Sequence, residues 1–253
     1  MQAFISRIIQ EIKYQRQKDW TFQEVGAHWD ATTDYDDINE RTYSYFRRFV
    51  DSFALYPEIE PGETLDICTR TGNGTFYYWQ RGKIKKVVCA DVSEKMLQLC
   101  RERLKETDLE YELKIFTQLP LPFADKQFDN ILCFETIEHI AQPSLFLKEI
   151  SRIIKPGGIL VLTMPNILWE TIHSLAAVFK FHHSEGPHTF LRKNFVAKEL
   201  TKNNFKIIAR QTTVLIPGGP KKLIKLGEYL EKKLPASILN SLGLRRIFIC
   251  QKN

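Results

Sequence analysis

Three stretches carry residue types that can do chemistry. In LDICTRTGNGT, residues 65–75, an apolar run passes through Asp66 into a turn holding Gly72 and Gly74. Glycine admits close backbone approach to a ligand, and the N–H groups opening a following helix attract negative charge. The turn is not G-x-G-x-x-G, so its spacing gives a dinucleotide little support. In VVCADVSEKML, Asp91 ends a second apolar run, where a carboxylate can accept hydrogen bonds from both hydroxyls of a ribose. Taken alone, Asp91 reads equally as an exposed loop residue. His139 and His188 are candidate proton acceptors. His139 equally suits a loop-orienting role, and His188, within HHSEGPH, equally suits a surface loop. His182, His183 and His188 do not have a zinc-ligand setting, and no metal is expected.

The elements that must position these residues show in the periodicity. Phe4, Ile5, Ile8, Ile9 and Ile12 fall on one side of an N-terminal helix packed on the body or on a partner. EVGAHWDATTDYDD lacks a period and reads as a loop. Residues 38–56 read as a helix with Phe46, Phe49, Val50 and Phe53 on one face. From residue 63 short apolar runs alternate with amphipathic segments. TLDIC, KVVCA, YELKIF, FDNILCF and ILVLTM read as strands. Helices fall at 74–81, at 94–106 behind Ser93 as N-cap, and at 143–154 with Pro143 in its first turn. KPGG interrupts the chain before the fifth strand. Residues 167–180 read as a helix; another begins near Arg192 and leads to a strand at 205–214. A lysine-rich amphipathic helix lies within 215–240, and RRIFIC closes the chain as a strand. Alternation of this kind predicts a mostly parallel α/β sheet covered on both faces, with ligands at the carboxyl ends of its strands.

LDICTRTGNGT, VVCADVSEKML, LPLPFADKQFDNILCFETIEHI and LKEISRIIKPGGILVLTMPN occur in that order. Together they resemble the class I S-adenosylmethionine-dependent methyltransferases, in the branch of the ubiquinone/menaquinone-biosynthesis methyltransferases. The resemblance covers about 63–165 and extends more weakly to about 210. It implies a Rossmann-like, doubly wound, seven-stranded sheet whose last strand is antiparallel. It also implies S-adenosyl-L-methionine as cofactor. The family's first-strand motif reads D-x-G-x-G-x-G, and Asp66, Cys68, Arg70 and Gly72 stand in its four places. Those four, with Asp91 at the ribose and Val92 and Met96 near the adenine, are implied to hold the cofactor. Thr117, Gln118 and Leu119, ahead of the LPF run, and Phe134, ending the fourth strand, complete the set. Thr117 stands where the family often has an acid for the adenine amino group, which moves that contact to Gln118 or weakens it. Glu138-His139 matches the family's E-H pair. Cys68 replaces a glycine at little cost if that residue is extended. Arg70 replaces one at a cost on the order of 1 kcal/mol if φ is positive there. Its side chain is expected toward the cofactor's carboxylate or toward solvent.

Substrate selection falls to material outside the sheet: a helical cap or lid over 1–60, and insertions at about 166–190 and 215–240 in a domain spanning 61–253. Trp29, Tyr35 and Tyr43 suit a lid, and Trp169, Phe179 and Phe181 suit an acceptor pocket; packing of the cap helices explains them equally. Apolar segments beside lysine-rich ones fit a small or lipid- or carrier-linked acceptor, methylated at oxygen or carbon. The chain carries 36 Lys and Arg against 30 Asp and Glu, net +6. That balance permits contact with an anionic membrane surface. No aromatic-interleaved basic stripe accompanies it, and CFET replaces an N/D-P-P-Y-type tetrapeptide, so nucleic acid is not the expected partner. The alternative to an active enzyme is a methyltransferase-like domain that binds without turnover, motivated by Cys68, Arg70 and Thr117. The five cysteines make no C-x-x-C pair and read as buried free thiols of a cytoplasmic protein, a monomer or a homodimer.

Overall fold

A computed structural model describes residues 2–17, 19–33, 35–36, 42–179 and 184–253. Seven strands form one sheet: β1 (Glu63–Ile67), β2 (Lys86–Asp91), β3 (Glu110–Ile115), β4 (Phe128–Phe134), β5 (Ile154–Pro165), β6 (Phe205–Thr213) and β7 (Arg245–Lys252). Their order is β3-β2-β1-β4-β5-β7-β6. Neighbours from β3 to β5 run parallel, and β7 runs antiparallel to both β5 and β6. The order reverses between β1 and β4, and their carboxyl ends form the crevice where such sheets bind ligands. Central strands buried on both faces explain the near-continuous apolar runs: Leu65, Ile67, Cys89, Ala90, Ile131 and Cys133 are fully enclosed.

Helices α4 (Asn73–Trp79), α5 (Glu94–Leu104), α6 (Pro143–Ile153) and α8 (Lys193–Lys202) connect the strands. Ser93 caps α5, its hydroxyl accepting from the Met96 N–H at 3.1 Å, and Pro143 occupies the first turn of α6. Lys155–Gly158 lie within β5 as a shift of register: Phe128 faces Ile154, whereas Asn130 faces Ile159.

The remaining helices gather over the strands' carboxyl ends: α1 (Gln2–Arg16), α2 (Phe22–Ala31), α3 (Tyr43–Phe53), α7 (Glu170–Val178), α9 (Lys221–Lys233) and α10 (Ala236–Leu242). The expected helix at 167–180 divides into a 3-10 turn, Ile167–Trp169, followed by α7.

Three local expectations are corrected. Residues 24–31 of the segment read as a loop belong to α2, because Thr21 and Glu24 make a capping box and Val25 and Trp29 share its buried face. Helix α3 begins at Tyr43, residues 38–41 lying outside those described, and its buried face is rotated: Tyr45, Arg48, Phe49 and Ser52 turn inward while Val50 is exposed. On α1, Ile5, Ile9 and Ile12 are exposed and Glu11 is buried, so of the two expected packings, on the body or on a partner, this side does not make the first.

Candidate functional site

The turn after β1 keeps a glycine-type backbone without the glycines. Cys68, Arg70 and Gly72 all have positive φ, at 53°, 52° and 76°. Cys68 is therefore left-handed rather than extended, and each non-glycine carries a strain of about 1–2 kcal/mol. Compensation comes from fixed hydrogen bonds. The Thr69 and Thr75 hydroxyls donate to Asp66 Oδ2 at 2.8 and 2.6 Å, which ties the turn to the strand beneath it. Burial still pushes the Asp66 carboxyl up to about 6. The Arg70 N–H donates to Asp91 Oδ2 at 2.8 Å, and Asp91 Oδ1 accepts from the Val92 and Ser93 N–H groups. Gly72 opens α4 and faces Cys100, where a Cβ would come within 2.7 Å of Sγ.

Arg70 points neither to solvent nor along the turn. Its guanidinium is buried, with Nη2 donating to the Glu135 carbonyl oxygen at 2.9 Å and to His139 Nε2 at 3.3 Å. It lies 5.0 Å from the centre of the Trp29 ring. Arginine can only donate, so His139 Nε2 accepts, and Nδ1 donates to the Pro187 carbonyl oxygen at 3.2 Å. His139 is thus a neutral, oriented imidazole, and burial holds its pKa below the usual histidine value. His188 is also buried, not on a surface loop. Its Nδ1 donates to the Gly186 carbonyl oxygen at 2.8 Å, Nε2 has no hydrogen-bond partner, and the ring lies 6.2 Å from His139.

Helix α2 lies directly over the β2 tip. A Cβ on Gly26 would stand 2.4 Å from the Val92 carbonyl oxygen, so only glycine permits this approach. Asp30 accepts from Ser93 Oγ at 2.6 Å, and the Trp20 indole N–H donates to the His139 carbonyl oxygen at 2.7 Å. Asp36 accepts from Thr71 Oγ1 at 2.7 Å and pairs with Arg103 at 2.8 Å. Asp91, Val92 and Met96 are all enclosed as a result. Phe134 packs in the core against Phe49, its centroid 5.0 Å away. Thr117, Gln118 and Leu119 instead line an open cleft of about 380 Å³ with His139 and Trp20.

A second cavity of about 200 Å³ has Arg70 in its wall. Its polar wall holds Arg48, Arg70, Glu135, Glu138 and Arg245; its apolar wall holds Trp169, Ile172 and Phe190. Glu135 Oε1 and Glu138 Oε2 have no hydrogen-bond partner. Burial, reinforced by the neighbouring Glu135, raises the Glu138 pKa well above the carboxylate range. Of the aromatics expected here, Trp169 lines the cavity, Phe179 is exposed, and Phe181, with His182 and His183, lies outside the described residues. Trp29 and Tyr35 lie beside Arg70, whereas the Tyr43 hydroxyl donates to Glu228 on α9 at 2.9 Å. Arg48 and Arg245 were not singled out in the sequence. Arg48 carries a signal in retrospect, as it lies one helical turn from Tyr45 and Ser52 on the inward face of α3.

Comparison with known proteins follows the same map. Residues 65–162 match a methyltransferase-domain family. A ubiquinone/menaquinone biosynthesis C-methyltransferase of Cupriavidus metallidurans is 24% identical over 160 residues, 62% of this chain and 66% of that protein. Its counterpart in Laribacter hongkongensis is 27% identical over 150 residues, 58% of this chain and 62% of that one. The match thus spans just under two-thirds of these relatives. Among solved structures, a chain of the Haloferax volcanii complex between the Trm112 methyltransferase activator and a methyltransferase aligns at TM-score 0.65, with 19% identity, over 90% of this chain and 96% of that chain. The [4+2]-cyclase SpnF aligns at TM-score 0.62, with 16% identity, over 92% and 97%. These alignments establish a shared fold.

Proposed function

We propose that this chain, whose residues 65–162 match a methyltransferase-domain family, is a class I S-adenosylmethionine-dependent methyltransferase acting on an amphipathic small or lipid-linked acceptor held in the cavity beside Arg70. One observation carries the reading: Arg70 belongs to the β1 turn and also walls the 200 Å³ cavity, so cofactor turn and acceptor space share a side chain. The residues fit the cofactor's chemistry. The β1 turn has left-handed positions, Asp91 stands at the β2 tip, and the apolar Val92 and Met96 lie enclosed just after it. A carboxylate has about four acceptor positions, and three on Asp91 are taken by backbone N–H groups. One position remains for a ribose hydroxyl, and α2 lies against the adjoining Val92 carbonyl oxygen.

The chemistry a bound S-adenosylmethionine supplies is an activated, electrophilic methyl group, which leaves the protein to align the acceptor and remove its proton. Glu135, lining the cavity with Oε1 free of hydrogen bonds, takes that proton in our reading. His139 acts through Arg70, fixing the guanidinium between turn and cavity.

Residues 1–60 and the insertions near 166–190 and 215–240 act as the cap that selects the acceptor. Hydrogen bonds from Arg7 to the Val178 carbonyl oxygen and from Gln15 to Ser174 join α1 to α7. Ile5, Ile9, Ile12, Leu175 and Phe179 on these helices are exposed, as is Ile172 at the cavity wall. No described helix is long and apolar enough to cross a membrane. Partial insertion of this apolar surface suits delivery of a lipid-linked acceptor from a bilayer, and the lysine-rich α9 suits an anionic one. Calorimetry with S-adenosylmethionine and S-adenosylhomocysteine tests the core of the proposal. Micromolar binding is expected, and failure of both ligands to bind defeats it. The second reading, binding without turnover, rests on the left-handed Arg70 and on the coverage of Asp91 by α2. Methyl transfer to any acceptor excludes it.

A further inference from the structure

The acceptor cavity holds a buried cation that its own walls leave short of hydrogen-bond partners. Arg245, the first residue of β7, is 3% exposed, yet its Nε and Nη1 have no hydrogen-bond partner. Its closest counter-charge is Glu135, with Oε1 3.5 Å from Nη1, too long and loose for a charge-assisted hydrogen bond. Arg48 reaches the same cavity from α3. Its Nε donates to the Tyr45 carbonyl oxygen at 3.1 Å, and its guanidinium lies 4.5 Å from the centre of the Tyr45 ring. The two guanidiniums repel one another: burial, with Arg48 adding to it, lowers the Arg245 pKa to about 10, still a cation at neutral pH.

A buried cation with open donors is costly unless something pairs with it. Arg48, Arg70, Arg245, Glu135, Glu138 and Glu185 all line the cavity, and neither Nε nor Nη1 of Arg245 finds a hydrogen bond among them. The open donors of Arg245 mark where an anion belongs. Trp169, Ile172 and Phe190 in the same cavity form a surface for hydrocarbon.

We propose that the acceptor is an anionic amphiphile whose carboxylate or phosphate is bound by Arg245 and Arg48. This rests on reading the cavity as the acceptor site. Arginine suits the task because its planar fork matches both oxyanions in a bidentate pairing.

The test uses the whole chain and its tryptophan emission, to which Trp29 and Trp169 in the cavity wall contribute. Decanoate and octyl phosphate are titrated below their micelle concentrations, with decanol and decylammonium as controls. At least one anion is expected to bind tenfold or more tightly than decanol, and the better anion distinguishes carboxylate from phosphate. Arg245→Met and Arg48→Met should each weaken that binding at least tenfold. Equal affinity for decanol or decylammonium overturns the proposal, as does unchanged anion affinity in the variants. Should Arg245→Met fail to fold by circular dichroism, Arg48→Met decides. Calorimetry with S-adenosylhomocysteine runs alongside. If the variants lose that ligand but keep decanoate, the arginines hold the cofactor's carboxylate and the proposal falls. If the unmodified chain binds decanoate but no S-adenosylhomocysteine, the methyltransferase reading fails while the anion site stands.

Discussion

The Arg70 N–H donates to Asp91 Oδ2 at 2.8 Å, joining the left-handed turn after β1 to the acid at the tip of β2. Asp91 also accepts from the Val92 and Ser93 N–H groups, so one buried carboxylate satisfies three backbone donors. Replacing it strands those donors, at about 1–3 kcal/mol for an unsatisfied buried group. Asp91→Ala is expected to lower the urea midpoint by an equivalent amount. It should also weaken S-adenosylhomocysteine binding at least tenfold in calorimetry. A variant that loses stability but binds normally removes Asp91 from the cofactor site and leaves it a structural anchor.

Helix α2 crosses the β2 tip only because residue 26 has no Cβ. Gly26→Val places atoms within 2.4 Å of the Val92 carbonyl oxygen, which belongs to backbone and cannot turn aside. The helix must lift. The expected result is a stability loss of about 1–3 kcal/mol, the usual range for overpacking. Stopped-flow association of S-adenosylhomocysteine should become faster, because Asp91 is uncovered. Slower association would show that α2 builds the site rather than shielding it.

Asp66 gives a pH dependence of definite sign. Its folded pKa, pushed up to about 6, lies above the ordinary aspartate value of about 3.9. The folded state therefore binds more protons than the unfolded one between those values, and stability falls as pH rises from about 4 to 6. The shift corresponds to roughly 3 kcal/mol. Asp66→Asn should remove this component, so the stability difference between variant and parent shifts in the variant's favour across that window. Urea denaturation at pH 4.5 and 7 measures it, and a difference that stays flat contradicts the assignment.

The sheet was legible because its strands are buried on both faces, leaving apolar runs such as KVVCA and ILVLTM with little ambiguity. The cap was less so. Gly26 in α2 looks like a helix breaker, and its reason, contact with the Val92 carbonyl oxygen, lies 66 residues away in the chain. Arg70 read as a damaged glycine position because spacing reports residue type and not φ. The backbone keeps the left-handed geometry at 52° and the side chain is used in the tertiary structure. Arg245 gave no signal, since an arginine opening a last strand is ordinary until β7 is seen beside β5 with its first residue at the cavity.

His139 separates two roles that activity loss alone would confuse. Its Nε2 lone pair is engaged by Arg70 Nη2 at 3.3 Å, which makes it a positioning residue in this geometry. Glutamine offers a carbonyl oxygen that can accept the same hydrogen bond but cannot take a proton near neutral pH. His139→Ala is therefore expected to lower kcat at least tenfold, with His139→Gln recovering most of the loss and retaining the parent pH profile. If His139 instead accepts the acceptor's proton, both variants will be equally impaired, and the acidic limb of the parent's kcat/KM profile will vanish in each. Burial places that limb below the usual histidine value of about 6.5, so profiles measured from pH 5 to 8 in the presence of an anionic amphiphile distinguish the two outcomes.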